Sequence, residues 1–387
     1  AYNALLARCG AVVLGRWVCI RGLSGLVVWL KRMGSAHGVK SHTINMTRWQ
    51  AGTTSEEAPA IAVGWQGTLP PMQALLNAIA QMALPLDAQR IFHGRGGLHP
   101  GCEHWALDAF PPVWLLTSFL PATDDELARV HAALSERLHQ LAPGQPLNWV
   151  YQCRHKGQPE TRLMAGAVPS PHTVTEDGAR YLVHLLKGQN HGFFPDMAQG
   201  RRWVREHVAQ RPGIKVLNLF AYTCAFSVVA LQAGAKQVVN VDMSHGAMAL
   251  GQQNHQLNGL LTGASFWAHD IFSTWGKITR GGPYDLIIVD PPSFQKGSFV
   301  ATKDYARVLR RLPELWAPGG HVVLCLNAPE LDSAFLQTLM AELAPEFTFV
   351  QRVDNPAVFA DASPERALKV LVYQAPASYA AAAAQAG

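Results

Sequence analysis

Hydrophobic and polar positions follow two regimes along the chain. Up to about residue 212, short apolar runs alternate with turn-rich pieces. Positions 72–82 and 124–141 carry helical spacing, the second with Leu127, Val130, Leu134 and Leu138 along one side. Runs at 148–153, 162–168 and 172–174 have strand character, and a helical pattern at 201–210 follows Gly178, Gly188 and Gly192. Beyond Gly213 the pattern becomes regular. Strands are predicted at 216–220, 237–242, 265–270, 284–290 and 321–327, and helices at 227–233, 245–258, 303–316 and 331–343. Two last strands, 347–353 and 368–374, have only a loop between them.

Strands alternating with helices predict a doubly wound, mostly parallel sheet. The last two strands add an antiparallel edge. The fold class expected is therefore α/β, a Rossmann-like seven-stranded domain preceded by a smaller α+β N-terminal domain. The divisions expected are a basic leader of doubtful status at 1–45, an N-terminal mixed domain at 46–145, a β-rich connecting or substrate region at 146–195, the doubly wound domain at 196–375 and a disordered tail at 376–387.

Charge changes the picture only when it is divided. The chain of 387 residues carries a net +5, yet residues 1–55 hold seven basic residues and no acid. The remaining 25 basic and 27 acidic residues leave the body nearly neutral. A nucleic-acid partner must therefore be argued from local patches, not from global charge. Arg16 and Arg21 interrupt the apolar stretch at 10–30, which excludes a membrane-spanning helix there. A transit peptide, or a misassigned start with Met33 or Met46 as the true one, accounts for this segment, and no chemistry is assigned to it. Six cysteines without paired spacing form neither a disulfide framework nor a zinc site, which fits a reduced, cytoplasmic setting without a metal.

In sheets of this kind ligands gather at the carboxyl ends of the strands. Three of the first four predicted strands end in acids: Asp242, Asp270 and Asp290. The first strand runs into Asn218-Leu219-Phe220-Ala221-Tyr222, and no glycine occurs between Gly213 and Gly234. A dinucleotide pyrophosphate needs glycines at that turn, so NAD and FAD are disfavoured. S-adenosylmethionine (SAM) has no phosphate and is not. Asp242, with Met243 after it, stands 22 residues beyond Phe220, where an acid can accept both ribose hydroxyls. Asp270 could accept from the adenine amino group. The competing role for either acid is capping the helix that follows. Asp290-Pro291-Pro292-Ser293-Phe294 is the strongest motif: two prolines stiffen the backbone and remove two donors, and Phe294 offers a face for base stacking.

On these motifs, together with Thr175-Glu176-Asp177-Gly178 and Gly192-Phe193-Phe194-Pro195-Asp196, residues 146–375 resemble a family of SAM-dependent RNA methyltransferases. Its best-known members modify bacterial 23S ribosomal RNA at guanine N7 or cytosine C5. The resemblance implies SAM as cofactor and RNA, with no DNA and no membrane, as partner. It implies Asn218, Phe220, Ala221, Tyr222, Asp242, Met243, Asp270, Phe194, Asp196 and Arg201 as cofactor contacts, and Asp290, Pro291, Phe294 and Asn327 around the transferred methyl. The cytosine-C5 members carry an RNA-binding PUA domain, which is not recognisable here. They also place a nucleophilic cysteine where this chain has Asn327. Cys325, two residues earlier, is expected to be a packing residue, as is Cys224. Guanine N7 is thus favoured over cytosine C5. Two basic groups, Arg201, Arg202 and Arg205 in one and Lys296, Lys303, Arg307, Arg310 and Arg311 in the other, either hold phosphates or form wet helix faces. The alternatives are a SAM-dependent enzyme acting on a protein or small molecule and a non-catalytic SAM- or RNA-binding protein.

Overall fold

The computed structural model describes residues 72–156, 159–292 and 299–379, with backbone strands at Val12–Leu14, Trp17–Arg21, Val27–Lys31 and Phe294–Gln295. The first three (β1, β2 and β3) form a small antiparallel sheet within residues 1–65, a unit of its own. The rest of the expected leader, and residues 380–387 of the expected tail, lie outside the described residues. Among the described residues no helix is long and apolar enough to cross a membrane.

The second unit opens with α1 (Gln73–Gln81) and a five-stranded sheet in the order β4 (Gln89–His93), β5 (Trp105–Phe110), β6 (Val113–Ser118), β7 (Asn148–Cys153), β8 (Glu160–Ala165). Only β6 and β7 are parallel, because α2 (Asp124–Leu141) crosses between them. Thr123 and Glu126 close a reciprocal capping box at the start of α2, and three acids in its first turn suit the helix dipole. The Leu127, Val130, Leu134 and Leu138 stripe packs on Trp105, Leu107, Trp149 and Tyr151. The expected division at 145/146 runs through this sheet. Strands β5 and β6 escape the sequence pattern because they are buried on both faces and show no alternation, and β4 because a register shift between Arg90 and Phe92 interrupts it.

A hairpin, β9 (His172–Glu176) and β10 (Ala179–Val183), turns on Asp177 and Gly178, both at positive φ. Helix α3 (Ala198–Gln210) then leads into the seven-stranded sheet. Its strands are β11 (Lys215–Leu219), β12 (Gln237–Asp242), β13 (Ala264–Ala268), β14 (Tyr284–Val289), β17 (Trp316–Leu326), β18 (Thr348–Val353) and β19 (Lys369–Gln374), in the spatial order β13-β12-β11-β14-β17-β19-β18. The short pair β15 (Phe294–Gln295) and β16 (Phe299–Val300) stands apart. Strand β19 alone opposes the rest, pairing antiparallel with both neighbours. The expected antiparallel edge is thus one strand inserted between the fifth and the sixth.

Alternation along the strands divides two cores. Val216, Val238, Leu286, Ile288 and Val323 face Val204 and Val208 of α3 and Val228 and Val229 of α4 (Ala225–Gln232). Leu217, Val239, Ile287 and Leu324 face Ile278 of α6 (Trp275–Gly281), Tyr305 and Val308 of α7 (Ala301–Leu309) and Leu336 of α8 (Ser333–Leu343). Two predicted boundaries are corrected. The helix expected at 303–316 ends at Leu309, and the fifth strand begins already at Trp316. Buried Trp316 pairs with Tyr284, while Gly319 takes a positive φ that lets the backbone pass the irregularity at 317–320. The third strand stops at Ala268, so Asp270 lies in the turn beyond it.

Candidate active site

A cleft of about 650 Å³ opens over the carboxyl ends of β11, β12, β13 and β14. It lies within the size range of small-molecule and cofactor sites. Three segments supply most of its lining: the loop after β11, the acids after β12 to β14, and the stretch before α3.

The loop after β11 is wound tightly. Phe220, Tyr222 and Cys224 all adopt positive φ, at 58°, 46° and 62°. Left-handed backbone at three non-glycine residues is strained and persists only where its surroundings enforce it. Several bonds do so. The Asp242 carboxylate accepts from the Tyr222 N–H at 2.9 Å and from the Ser244 N–H at 2.8 Å. Gly192 donates its N–H to the Tyr222 hydroxyl at 3.0 Å, and the Thr223 hydroxyl donates to the Gly192 carbonyl at 2.7 Å. Asn254, in α5 (His245–Leu257), donates to the Thr223 carbonyl at 3.0 Å. Gly251 leaves room for Cys224, since a β-carbon there would meet its Sγ at 2.5 Å.

Ser244, not Asp242, caps α5, accepting from the Ala247 N–H. Asp242 is therefore free of the capping role and sits half-buried in the cleft wall. Asp270 accepts from the Ser273 N–H at 2.7 Å, holding the turn after β13, and is exposed to the cleft. Met243 and Phe194 also line the cleft and are 45% and 44% exposed. Two large apolar side chains bare to solvent across a concave site are the usual mark of a surface that a ligand covers.

Asp290 follows β14, with Pro291 and Pro292 beside it in the lining. Burial, with the charge of Asp196 beside it, pushes its carboxyl up to about 7. Burial likewise raises Asp196, against the pull of Arg90 and Arg201. The Cys325 thiol is fully buried within hydrogen-bonding reach of Asp290, and burial holds it well above the ordinary thiol value. Its carbonyl accepts from the Tyr305 hydroxyl. Cys224 is buried and raised in the same way. Asn327 is the first residue after β17, exposed at the cleft rim.

Of the residues singled out from the sequence, Phe194, Asp196, Arg201, Phe220, Ala221, Tyr222, Asp242, Met243, Asp270, Asp290, Pro291 and Asn327 meet in this one cleft. Asn218 does not. It lies in the core beneath, donating to Asn240 at 2.9 Å in a buried chain that continues through Ser227 to His255. The side chain of Phe294 lies outside the described residues. Arg201 lines the cleft but is committed to Glu176 at 2.6 and 2.7 Å and to the Phe194 carbonyl at 2.9 Å. Asn190, Met197, Phe226, Ile271, Phe272 and Leu368 also line it and were not singled out. Asn190, Met197, Ile271 and Phe272 carry only the signal of lying beside the acids or the Gly192 turn, and Phe226 and Leu368 carry none.

The fold and this cleft define an enzyme of the nucleoside-cofactor-binding α/β class, with acids in place of a phosphate-binding glycine loop. The chain belongs to the S-adenosylmethionine-dependent methyltransferase family, whose model matches residues 89–374. Among curated relatives it is 34% identical over 266 residues to the ribosomal RNA large subunit methyltransferase I of Serratia proteamaculans, covering 67% of this chain and 65% of that protein. It is 32% identical over 190 residues to the enzyme of the same name from Aeromonas salmonicida (48% and 47% covered). To the ribosomal RNA large subunit methyltransferase K/L of a Psychrobacter species it is 37% identical over 181 residues (45% and 22% covered). The chain spans about half the length of the Aeromonas relative it matches. A SAM-dependent methyltransferase from Streptococcus mutans shares the fold with a TM-score of 0.66 at 23% identity, covering 80% of this chain and 83% of that one. A methyltransferase crystallised with S-adenosylhomocysteine (SAH) does so at 0.67 and 22%, with the same coverage.

SAM is thus the cofactor, and the residues present suit it. The carboxylates of Asp242 and Asp270 meet the polar needs of a nucleoside, and bare Met243 and Phe194 meet its apolar ones.

Proposed function

We propose that this methyltransferase works in the cytoplasm and modifies a base of RNA, with guanine N7 of 23S ribosomal RNA as the acceptor in preference to cytosine C5. The observation that carries this reading is the presence of Asp290 and Asn327 in one cleft, with no thiol among its described lining residues. Cytosine-C5 transfer requires a thiolate that adds to the ring. Cys325 is enclosed and held protonated, so it cannot serve. The names carried by the Serratia, Aeromonas and Psychrobacter relatives support ribosomal RNA as the substrate class.

Bound SAM supplies an electrophilic methyl on a sulfonium. The chain's residues do the rest. Asp242 accepts from the ribose hydroxyls and Asp270 from the adenine amino group. Phe194 and Met243 cover the apolar faces, and Tyr222, anchored by Gly192 and Asp242, fixes the floor. Guanine N7 already offers a lone pair, so no residue need remove a proton. The base gains a positive charge as the N–C bond forms and the S–C bond breaks. An ionised Asp290, accepting from N1–H or the exocyclic amine, opposes that charge, and its desolvated position makes the effect larger than in water. Asn327 meets the base edge at the rim.

Mass spectrometry of nucleosides from 23S RNA incubated with the enzyme and SAM tests the acceptor. A gain of 7-methylguanosine is expected. A gain of 5-methylcytidine instead overturns the acceptor assignment. A methylated protein or metabolite with unmodified RNA overturns the RNA reading.

A further inference from the structure

Four of the basic residues that the sequence offers for RNA on the catalytic domain are held in ion pairs. Arg201 is bound to Glu176, Arg202 to Asp177, Arg307 to Asp304 and Arg311 to Glu314. Paired guanidiniums leave little field for a polyanion. A second set of positive charges without a carboxylate partner among the described residues lies on the five-stranded sheet. Arg95, in the turn after β4, is exposed and rests over the Phe119 ring at 4.2 Å, with no acid within ion-pair distance. Arg154, just past β7, donates only to neutral acceptors: Gln152 Oε1 at 2.7 Å, the Gln189 carbonyl at 2.5 Å and His191 Nε2 at 3.3 Å. Arg90, which is paired with Asp108 at 2.5 Å, completes the cluster.

Arg95 and Arg154 meet about the end of β6: Arg95 rests on the Phe119 ring, and the Arg154 backbone N–H donates to the Ser118 carbonyl at 2.8 Å. Burial lowers the pKa of Arg154, and Arg90 and Arg95 lower it further against the opposing charge of Asp108. Burial and Arg90 lower that of Arg95. His93 adds no charge at neutral pH. It accepts from Arg90 at 2.7 Å, and burial with the two arginines brings it down to about 4, against the charge of Asp361. Like charges crowded and partly desolvated are unfavourable until an anion joins them. The place is equally telling. Arg154 grips the carbonyl of Gln189, and the residues that follow, Asn190, Phe193, Phe194 and Asp196, wall the methyl-transfer cleft.

We propose that Arg95 and Arg154 form a phosphate-gripping site for the RNA strand that delivers its base to this cleft. The Arg95 fork suits a phosphate bidentately, with Phe119 holding its plane in place, while Arg154, whose Nε and Nη2 already donate within the protein, adds its charge and its Nη1 donors. The strand then approaches across the five-stranded sheet and the 189–194 loop. This rests on the RNA reading above.

The test is binding of a fluorescein-labelled single-stranded RNA to the full chain, with salt varied over roughly 50–200 mM, beside calorimetric titration with SAM. Arg95→Glu and Arg154→Gln are the variants. The first is exposed and makes no hydrogen bond among the described residues, and the second keeps a donor at the place of the Arg154 Nε, toward Gln152, while losing the charge. Each is expected to reduce the slope of log affinity against log salt by about 0.7 per lost phosphate contact. SAM affinity should be unchanged. Arg202→Ala, whose charge is paired with Asp177, should keep the wild-type slope. Wild-type RNA affinity and slope in both variants overturn the inference and leave the RNA reading intact. Absence of RNA binding by the wild type, with SAM bound normally, overturns the RNA reading and the inference with it.

Discussion

The hydroxyl of Tyr222 accepts the Gly192 N–H at 3.0 Å, which ties the strained loop after β11 to the segment before α3. The bond joins the two walls of the cofactor cleft, and the Phe194 ring lies 5.4 Å from that of Tyr222. The cleft is therefore held open in shape by the protein's own bonds.

Tyr222→Phe removes the acceptor and leaves the Gly192 N–H without it. A neutral hydrogen bond contributes about 1 kcal/mol, so SAM affinity should fall roughly 5-fold. Calorimetry reads this directly. An unchanged dissociation constant would show that the two walls hold their positions without the bond.

Asp290 gives the reaction a pH signature. Its carboxyl is pushed up to about 7 by burial and by Asp196, so in the free enzyme it is half ionised near neutrality. If the carboxylate form supports transfer, kcat/KM should rise through about pH 7 and level off above it. With SAM bound, the sulfonium charge favours the carboxylate, so the limb in kcat should sit lower. Asp290→Asn should abolish the limb along with most of the rate. A wild-type profile flat across this range would contradict the role.

The same group sets a stability trend of known sign. Its folded pKa lies above the unfolded value, so its contribution is full below the ordinary carboxylate range and is lost as pH rises through about 7. Asp290→Asn should therefore raise Tm at alkaline pH, by about 2–4 °C for each 1 kcal/mol recovered, while costing activity. Calorimetry at acid and alkaline pH should show the gain at the alkaline end only.

Arg201 and Glu176 form a fully enclosed pair with bonds of 2.6 and 2.7 Å, next to the cleft. Glu176→Gln leaves a buried guanidinium without its counter-charge and should cost about 3–5 kcal/mol of stability. Denaturant unfolding would show it as a lower midpoint. A midpoint within error of wild type would mean that water reaches Arg201.

The sequence revealed most where one physical rule governs one position. Acids at strand ends, Asp242, Asp270 and Asp290, stood out because the strands before them are apolar, and all three line one cleft. Asn218 was misplaced because strand pattern does not tell the last inward residue from the first loop residue; its amide is bound to Asn240. Strands β5 and β6 were hidden because strands buried on both faces lose their alternation. The left-handed turn was invisible because Phe220, Tyr222 and Cys224 are not residues that announce positive φ, and bonds from distant Asp242, Gly192 and Asn254 impose it. The charge state of the arginines was likewise illegible, since their partners Glu176 and Asp177 sit on a hairpin far back in sequence.

Transfer of tritium from methyl-labelled SAM into ribosomal RNA of a strain lacking this protein tests the proposed activity most directly. Counts in 23S RNA with the wild-type chain, lost in Asp290→Ala while SAM binding persists, are the expected result. SAM binding without counts in any RNA would contradict it.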